Sequence, residues 1–190
     1  MLTVPNLLTL LRLFLVPVFL VASIRGMFTT AFIIFVSAAV TDIFDGMIAR
    51  RFNQRSRIGA ILDPAADKTM MVCGYIYYTF AQMPRVSIPG WLTFTVFIRD
   101  FLIAVFAYLL YTRVQVKRFP PSVFGKASTV LQAGTLAMAL AINSFWPSLR
   151  PFCEVLFRVT LVVTLYSAWD YLRRGERLLD DGLTRAFEPK

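Results

Sequence analysis

Asp42-Ile43-Phe44-Asp45-Gly46-Met47-Ile48-Ala49-Arg50, and after eight intervening residues Gly59-Ala60-Ile61-Leu62-Asp63-Pro64-Ala65-Ala66-Asp67, set four carboxylates in a chain otherwise written for lipid. An ionised carboxylate in an apolar medium costs several kcal/mol unless something compensates, so such residues are rare and mark function. A divalent cation is the natural compensator, because hard cations such as Mg²⁺, Ca²⁺ and Mn²⁺ prefer oxygen ligands.

The surroundings of that stretch decide the fold. The 190 residues are 57% hydrophobic and only 16% charged, with a mean hydropathy of +0.64. Apolar runs of about 20 residues read as membrane-spanning helices. Six are legible, over residues 6–24, 28–50, 58–83, 88–111, 122–145 and 152–172, separated by Arg25-Gly26, Arg51 to Arg57, Met83-Pro84-Arg85, Phe119-Pro120-Pro121 and Trp146-Pro147. The expected fold is therefore all-α: an integral membrane protein of six transmembrane helices. Residues 1–175 would form one membrane domain, and residues 176–190 a short, mixed-charge cytoplasmic tail. The first run lacks a basic leader and is interrupted by Arg12, so it reads as a retained span and not as a signal peptide.

The net charge of +9 could suggest nucleic acid. The basic residues instead cluster between apolar runs, where the positive-inside rule accounts for them, and no nucleic-acid partner is expected. Arg50, Arg51, Arg55 and Arg57 crowd the second connection, Arg113, Lys117 and Arg118 the fourth, and Arg173, Arg174 and Arg177 follow the last run. That distribution puts both termini in the cytoplasm of a multi-pass protein, with a bacterial inner membrane the expected location. Cys73 and Cys153 have no pairing motif and read as small buried hydrophobes. The chain has no histidine, so acid–base chemistry falls to carboxylate, Lys, Tyr or water.

Asp42 and Asp45 are three residues apart and Asp63 and Asp67 four, so each pair lies on one helix face. The turn between their helices centres near Gln54, nine residues from both Asp45 and Asp63. In an antiparallel hairpin the two pairs meet at matched depth, about 10–15 Å from the turn. Four oxygen-bearing side chains would converge near the cytoplasmic end, a metal-ligand arrangement. Gly46, Ala49, Gly59, Ala60, Ala65 and Ala66 leave room for close helix approach or a ligand. Ion pairs with Arg50, Arg51, Arg57 and Lys68 are the plain alternative, but they satisfy only some of the four acids at once, and a shared cluster repels itself.

The pattern D-x2-D-G-x2-A-R-x8-G-x3-D-x3-D is complete from Asp42 to Asp67, eight positions over twenty-six residues. With it the chain resembles the CDP-alcohol phosphotransferase family, six-helix membrane enzymes. The segment Pro5-Asn6-Leu7-Leu8-Thr9-Leu10-Leu11-Arg12 resembles the phosphatidylglycerophosphate synthase and cardiolipin synthase branch. The resemblance implies an active site between the helices near the cytoplasmic face. It also implies that Asp42, Asp45 and Asp63 hold one or two divalent cations, Mg²⁺ or Mn²⁺, and that Asp67 is the general base and a further metal contact. Gly46, Arg50 and Gly59 would lie around the CDP moiety, with Asn6 and Thr9 contributing. The implied reaction moves a phosphatidyl group from CDP-diacylglycerol to an alcohol and releases CMP. Pairing is common among such enzymes, so a homodimer is part of the expectation.

Arg99 and Asp100 interrupt the fourth run and Lys126 opens the fifth. A helix-to-helix ion pair and an interfacial lysine are the plain reading. Together with Arg118 they otherwise make a cationic pocket for an acceptor phosphate, which favours glycerol-3-phosphate, or phosphatidylglycerol as in cardiolipin synthase, over a neutral alcohol. Phosphatidylglycerophosphate synthases often carry Arg-Glu where this chain has Arg99-Asp100, and Arg-Asp also occurs in the cardiolipin synthase type. Gln132, Asn143, Tyr166 and Ser167 read as helix-to-helix hydrogen bonding. The rival from another class is a cation transporter, which would be expected to show internal repeats and helices broken at the midplane; neither is seen.

Overall fold

A computed structural model describes residues 4–52, 59–114 and 122–186; of these, the side chains at 4–9, 42–52, 59–67, 107, 110, 111, 113, 114 and 176–186 lie outside the description. The described chain is all-helical and contains no strand: α1 Val4–Ile24, α2 Phe28–Phe52, α3 Gly59–Phe80, α4 Gly90–Val114, α5 Val123–Ser144, and α6 Arg150–Ala186 after a 3₁₀ turn at Pro147–Leu149. Each apolar run became one helix. Two ends differ from the hydropathy reading. α3 stops at Phe80 and not near residue 83, because the following segment folds back and Ile88 N donates to Tyr78 O at 2.9 Å. α6 continues past the last apolar run to Ala186, where Glu, Arg and Leu sustain helix without needing lipid; Arg174 Nε donates to Asp170 Oδ1 at 3.0 Å on the way.

Among the described residues, Pro147–Gly175 is long and apolar enough to cross a membrane, and Leu10–Ile24 and Phe28–Thr41 form shorter apolar helices. Large hydrophobics such as Phe14, Ile24, Ile33, Phe101, Val130, Phe152 and Val162 are exposed, as expected of surfaces that meet lipid and not water.

The chain divides into two compact units, one of residues 1–88 and 136–153, the other of residues 89–135 and 154–190. In the first unit α1 packs along both α2 and α3. The α1–α2 hairpin is set by Gly26, whose φ of 73° is available to glycine without strain. Gly26 N donates to Ser23 O at 3.0 Å and Met27 N to Ala22 O at 2.9 Å, a Schellman cap that satisfies the last carbonyls and turns the chain at once into α2. Phe19, Phe35, Tyr75, Tyr78, Leu136 and Leu140 fill the core. A Cβ at Gly74 would stand 2.5 Å from Leu136 Cδ2, so α3 and α5 touch there because the residue is glycine.

Asn143 closes this unit. Its Oδ1 accepts from Arg85 N at 3.1 Å and Val86 N at 3.2 Å, and its Nδ2 donates to Val86 O at 2.7 Å and Ala139 O at 2.9 Å. Arg85 Nη1 in turn donates to the carbonyls of Ile142 at 2.9 Å and Ser144 at 3.0 Å, capping α5. Arg85 is thus a helix cap in addition to any topological role. Asn143→Ala would orphan both buried backbone groups of Val86, at about 1–3 kcal/mol each. The expected result is a thermal unfolding midpoint in detergent lower by roughly 5 °C or more; an unchanged midpoint would mean water replaces the amide.

In the second unit a polar ladder joins α5 to α6. Ser128 Oγ and Thr164 Oγ1 are 3.1 Å apart, Thr135 Oγ1 and Thr160 Oγ1 2.8 Å, and Gln132 Nε2 donates to Ser128 Oγ at 3.0 Å. All five side chains are buried. Short hydroxyl side chains let helices approach closely and bond across the seam where no hydrophobic effect drives them together.

Candidate active site

The signature lies on two helices of the first unit. Asp42, Asp45, Gly46 and Arg50 belong to α2, and Gly59, Asp63 and Asp67 to the opening turns of α3, which runs unbroken through Pro64. Asn6 and Thr9 sit near the start of α1, the helix that packs along both. Because α2 and α3 are continuous here, the spacings of three and four do put each acidic pair on one face. The side chains of all nine residues lie outside the described set, and so does any convergence of their oxygens. The donor set, carboxylate only with neither thiolate nor imidazole, fits a hard divalent cation.

The phosphate-binding candidates divide three ways. Arg118 lies outside the described residues. Lys126 is exposed in the first turn of α5. Arg99 is the informative one: it is only 8% exposed on α4. Its Nη1 donates to Asp100 Oδ1 at 2.8 Å and its Nη2 to Ser167 Oγ at 2.7 Å, while its buried Nε has no partner among the described residues. The Arg99–Asp100 ion pair is therefore within one helix, and the bond between helices goes to Ser167 on α6. A guanidinium kept this far from water with a donor unspent is suited to a bidentate anion.

Ser122 and Gly125 complete the environment. Ser122 caps α5, its Oγ accepting from Gly125 N at 2.9 Å, as a serine N-cap does. A Cβ at Gly125 would stand 3.4 Å from Arg99 Nη2 and 3.2 Å from Ser122 Oγ, so glycine leaves the guanidinium its place. Neither role was visible in hydropathy. The one local signal was the small residue directly before Lys126. Phe124 meets Tyr166 edge to face in the same unit, their centroids 4.5 Å apart, Tyr166 lies tilted against Trp169, and the Arg173 guanidinium sits 3.8 Å above the Trp169 ring. Exposed aromatic and cationic residues of this kind settle at headgroup level.

The comparisons agree with the signature. A family model described as CDP-alcohol phosphatidyltransferase matches residues 2–167. The CMP-forming cardiolipin synthase of Homo sapiens is 32% identical over 92% of the chain, which spans 62% of that relative's length. The CDP-diacylglycerol–glycerol-3-phosphate 3-phosphatidyltransferase of Aquifex aeolicus is 32% identical, covering 93% of the chain and 97% of the relative. The protein of the same name from Escherichia coli K12 is 34% identical, covering 89% and 92%.

Proposed function

Since the chain belongs to the CDP-alcohol phosphatidyltransferase family, we propose that it transfers a phosphatidyl group from CDP-diacylglycerol to glycerol-3-phosphate, releasing CMP, in phospholipid biosynthesis. The observation that carries this reading is the complete eight-position signature on α2 and α3, inside the matched region. The acceptor rests on two supports. Relatives named for glycerol-3-phosphate match almost end to end, and Arg99 offers a fixed guanidinium to a phosphate.

In this reading six helices span the membrane with both termini cytoplasmic. Asp42, Asp45 and Asp63, with Asp67, would hold Mg²⁺ or Mn²⁺. When bound, the ion neutralises charge on the diphosphate and on departing CMP. Gly46 and Gly59 leave space for the nucleotide, and Arg50, Asn6 and Thr9 bind it. Arg99, with Lys126 and Arg118, would bind the acceptor's phosphate. Asp67 takes the hydroxyl proton as the new P–O bond forms and the bond to CMP breaks.

A second reading, cardiolipin synthase with phosphatidylglycerol as acceptor, is favoured by the Homo sapiens relative and by Arg99-Asp100. Purified protein given CDP-diacylglycerol and each acceptor in turn, with the lipid product identified by mass, decides between them. Phosphatidylglycerophosphate is the expected product. Chelation should stop CMP release, and added Mg²⁺ or Mn²⁺ should restore it. Undiminished release in chelator would remove the metal from the reading, and no release with any acceptor would remove the transferase.

A further inference from the structure

Two buried polar atoms in the second unit have no partner among the described residues, and they are complementary. One is Arg99 Nε, a donor on α4; the other is Asp170 Oδ2, an acceptor on α6. Buried polar atoms are almost always bonded, so each calls for an explanation. The ion pair of Asp170 supplies only half of one. Arg174 Nε donates to Oδ1 at 3.0 Å, and the arginine side chain is 44% exposed against 17% for the aspartate. Such a surface pair contributes little. It does fix the carboxylate with one oxygen spent toward solvent and the other buried and unspent.

The packing brings both atoms to the start of α5. α5 and α6 run antiparallel: Thr135 faces Thr160, Ser128 faces Thr164 and Phe124 faces Tyr166. Continued, that register sets Asp170 level with Ser122, the N-cap of α5. α4 lies against the same stretch of α6, with Arg99 bonded to Ser167 at 2.7 Å and Phe106 against Gly175. Asp170 is three residues beyond Ser167, the neighbouring position on the helix surface. At Gly125 the three helices converge. The point where its Cβ would stand is 3.4 Å from Arg99 Nη2, 3.2 Å from Ser122 Oγ and 3.9 Å from Ser167 Oγ.

A bare anion would satisfy Arg99 and be repelled by Asp170. A ligand that satisfies both carries a negative group and, a few bonds away, a hydroxyl to donate. A glycerol phosphate has that pattern, whether free or as the headgroup of a lipid. We propose that Asp170 is a specificity-determining residue for the acceptor: its Oδ2 accepts a hydrogen bond from the secondary hydroxyl while Arg99 holds the phosphate. The primary hydroxyl is left free to react. This rests on the transferase reading and deepens it by naming the part of the acceptor that is recognised.

The test compares two acceptors in purified protein supplied with CDP-diacylglycerol. They are glycerol-3-phosphate and 3-hydroxypropyl phosphate, which keeps the phosphate and the primary hydroxyl and lacks the secondary one. In the parent, kcat/KM should favour glycerol-3-phosphate by about 10–100-fold, the worth of a hydrogen bond to a charged group. Asp170→Ala should bring that ratio to within a few-fold of one, by lowering the value for glycerol-3-phosphate and not that for the analogue. Asp170→Asn keeps an acceptor oxygen without the charge and should give an intermediate ratio. A parent ratio near one would overturn the proposal. So would an Asp170→Ala variant in which both values fall and the ratio stays, a result that makes Asp170 structural. If Asp170→Ala does not accumulate, Asp170→Asn carries the comparison, and an unchanged ratio overturns the proposal. The transferase reading is judged separately, by whether the parent releases CMP with any acceptor. If it releases none, the two phosphates are compared by their protection of the parent against thermal unfolding. Stronger protection by glycerol-3-phosphate supports the proposal, and equal protection overturns it.

Discussion

Asp67→Asn is expected to lower turnover by about 10²–10⁴-fold, the range a positioned general base contributes, while CDP-diacylglycerol still binds. The amide is isosteric, so the substitution keeps the size of the side chain. The lost quantity is the ability to take a proton, and no histidine exists in the chain to substitute. The measurement is CMP release under saturating substrates together with a separate CDP-diacylglycerol binding titration. Turnover within a few-fold of the parent would remove Asp67 from the proton transfer. Loss of binding with loss of turnover would instead assign it to the metal alone.

Arg99→Gln is expected to raise the KM for the phosphorylated acceptor by about 10–100-fold, since a charge-assisted hydrogen bond is worth about 1.5–3 kcal/mol. The KM for CDP-diacylglycerol should stay within a few-fold. The substitution also releases Asp100, whose side chain is 22% exposed and so retains water as a partner. Ser167→Ala should move the acceptor KM in the same direction by less, because it removes one of the guanidinium's two anchors and leaves its charge. Equal effects on both substrates would show that Arg99 serves packing of α4 on α6 and not recognition.

The helices and the signature were legible because both are written in local terms. Apolar length marks each helix, and the spacings of Asp42–Asp45 and Asp63–Asp67 are conserved by any continuous helix that carries them. The end of α3 was misplaced by a few residues because the stop is a tertiary event: Ile88 returns to bond Tyr78, and hydropathy does not register that contact. The α6 extension was hidden for the opposite reason, since hydropathy stops where lipid stops while helix propensity does not.

Read alone, the chain determined an all-helical protein, a four-carboxylate signature and the family to which they point. Those properties depend only on residues a few positions apart. Tertiary structure decided which charges are held and by what. It gave Arg99 to Ser167 sixty-eight residues away, put Asn143 across the Arg85–Val86 segment, and buried Arg12 on the helix that packs along α2 and α3. Long-range partners are selected by which helix faces meet, and that choice is made by packing and not by spacing along the chain.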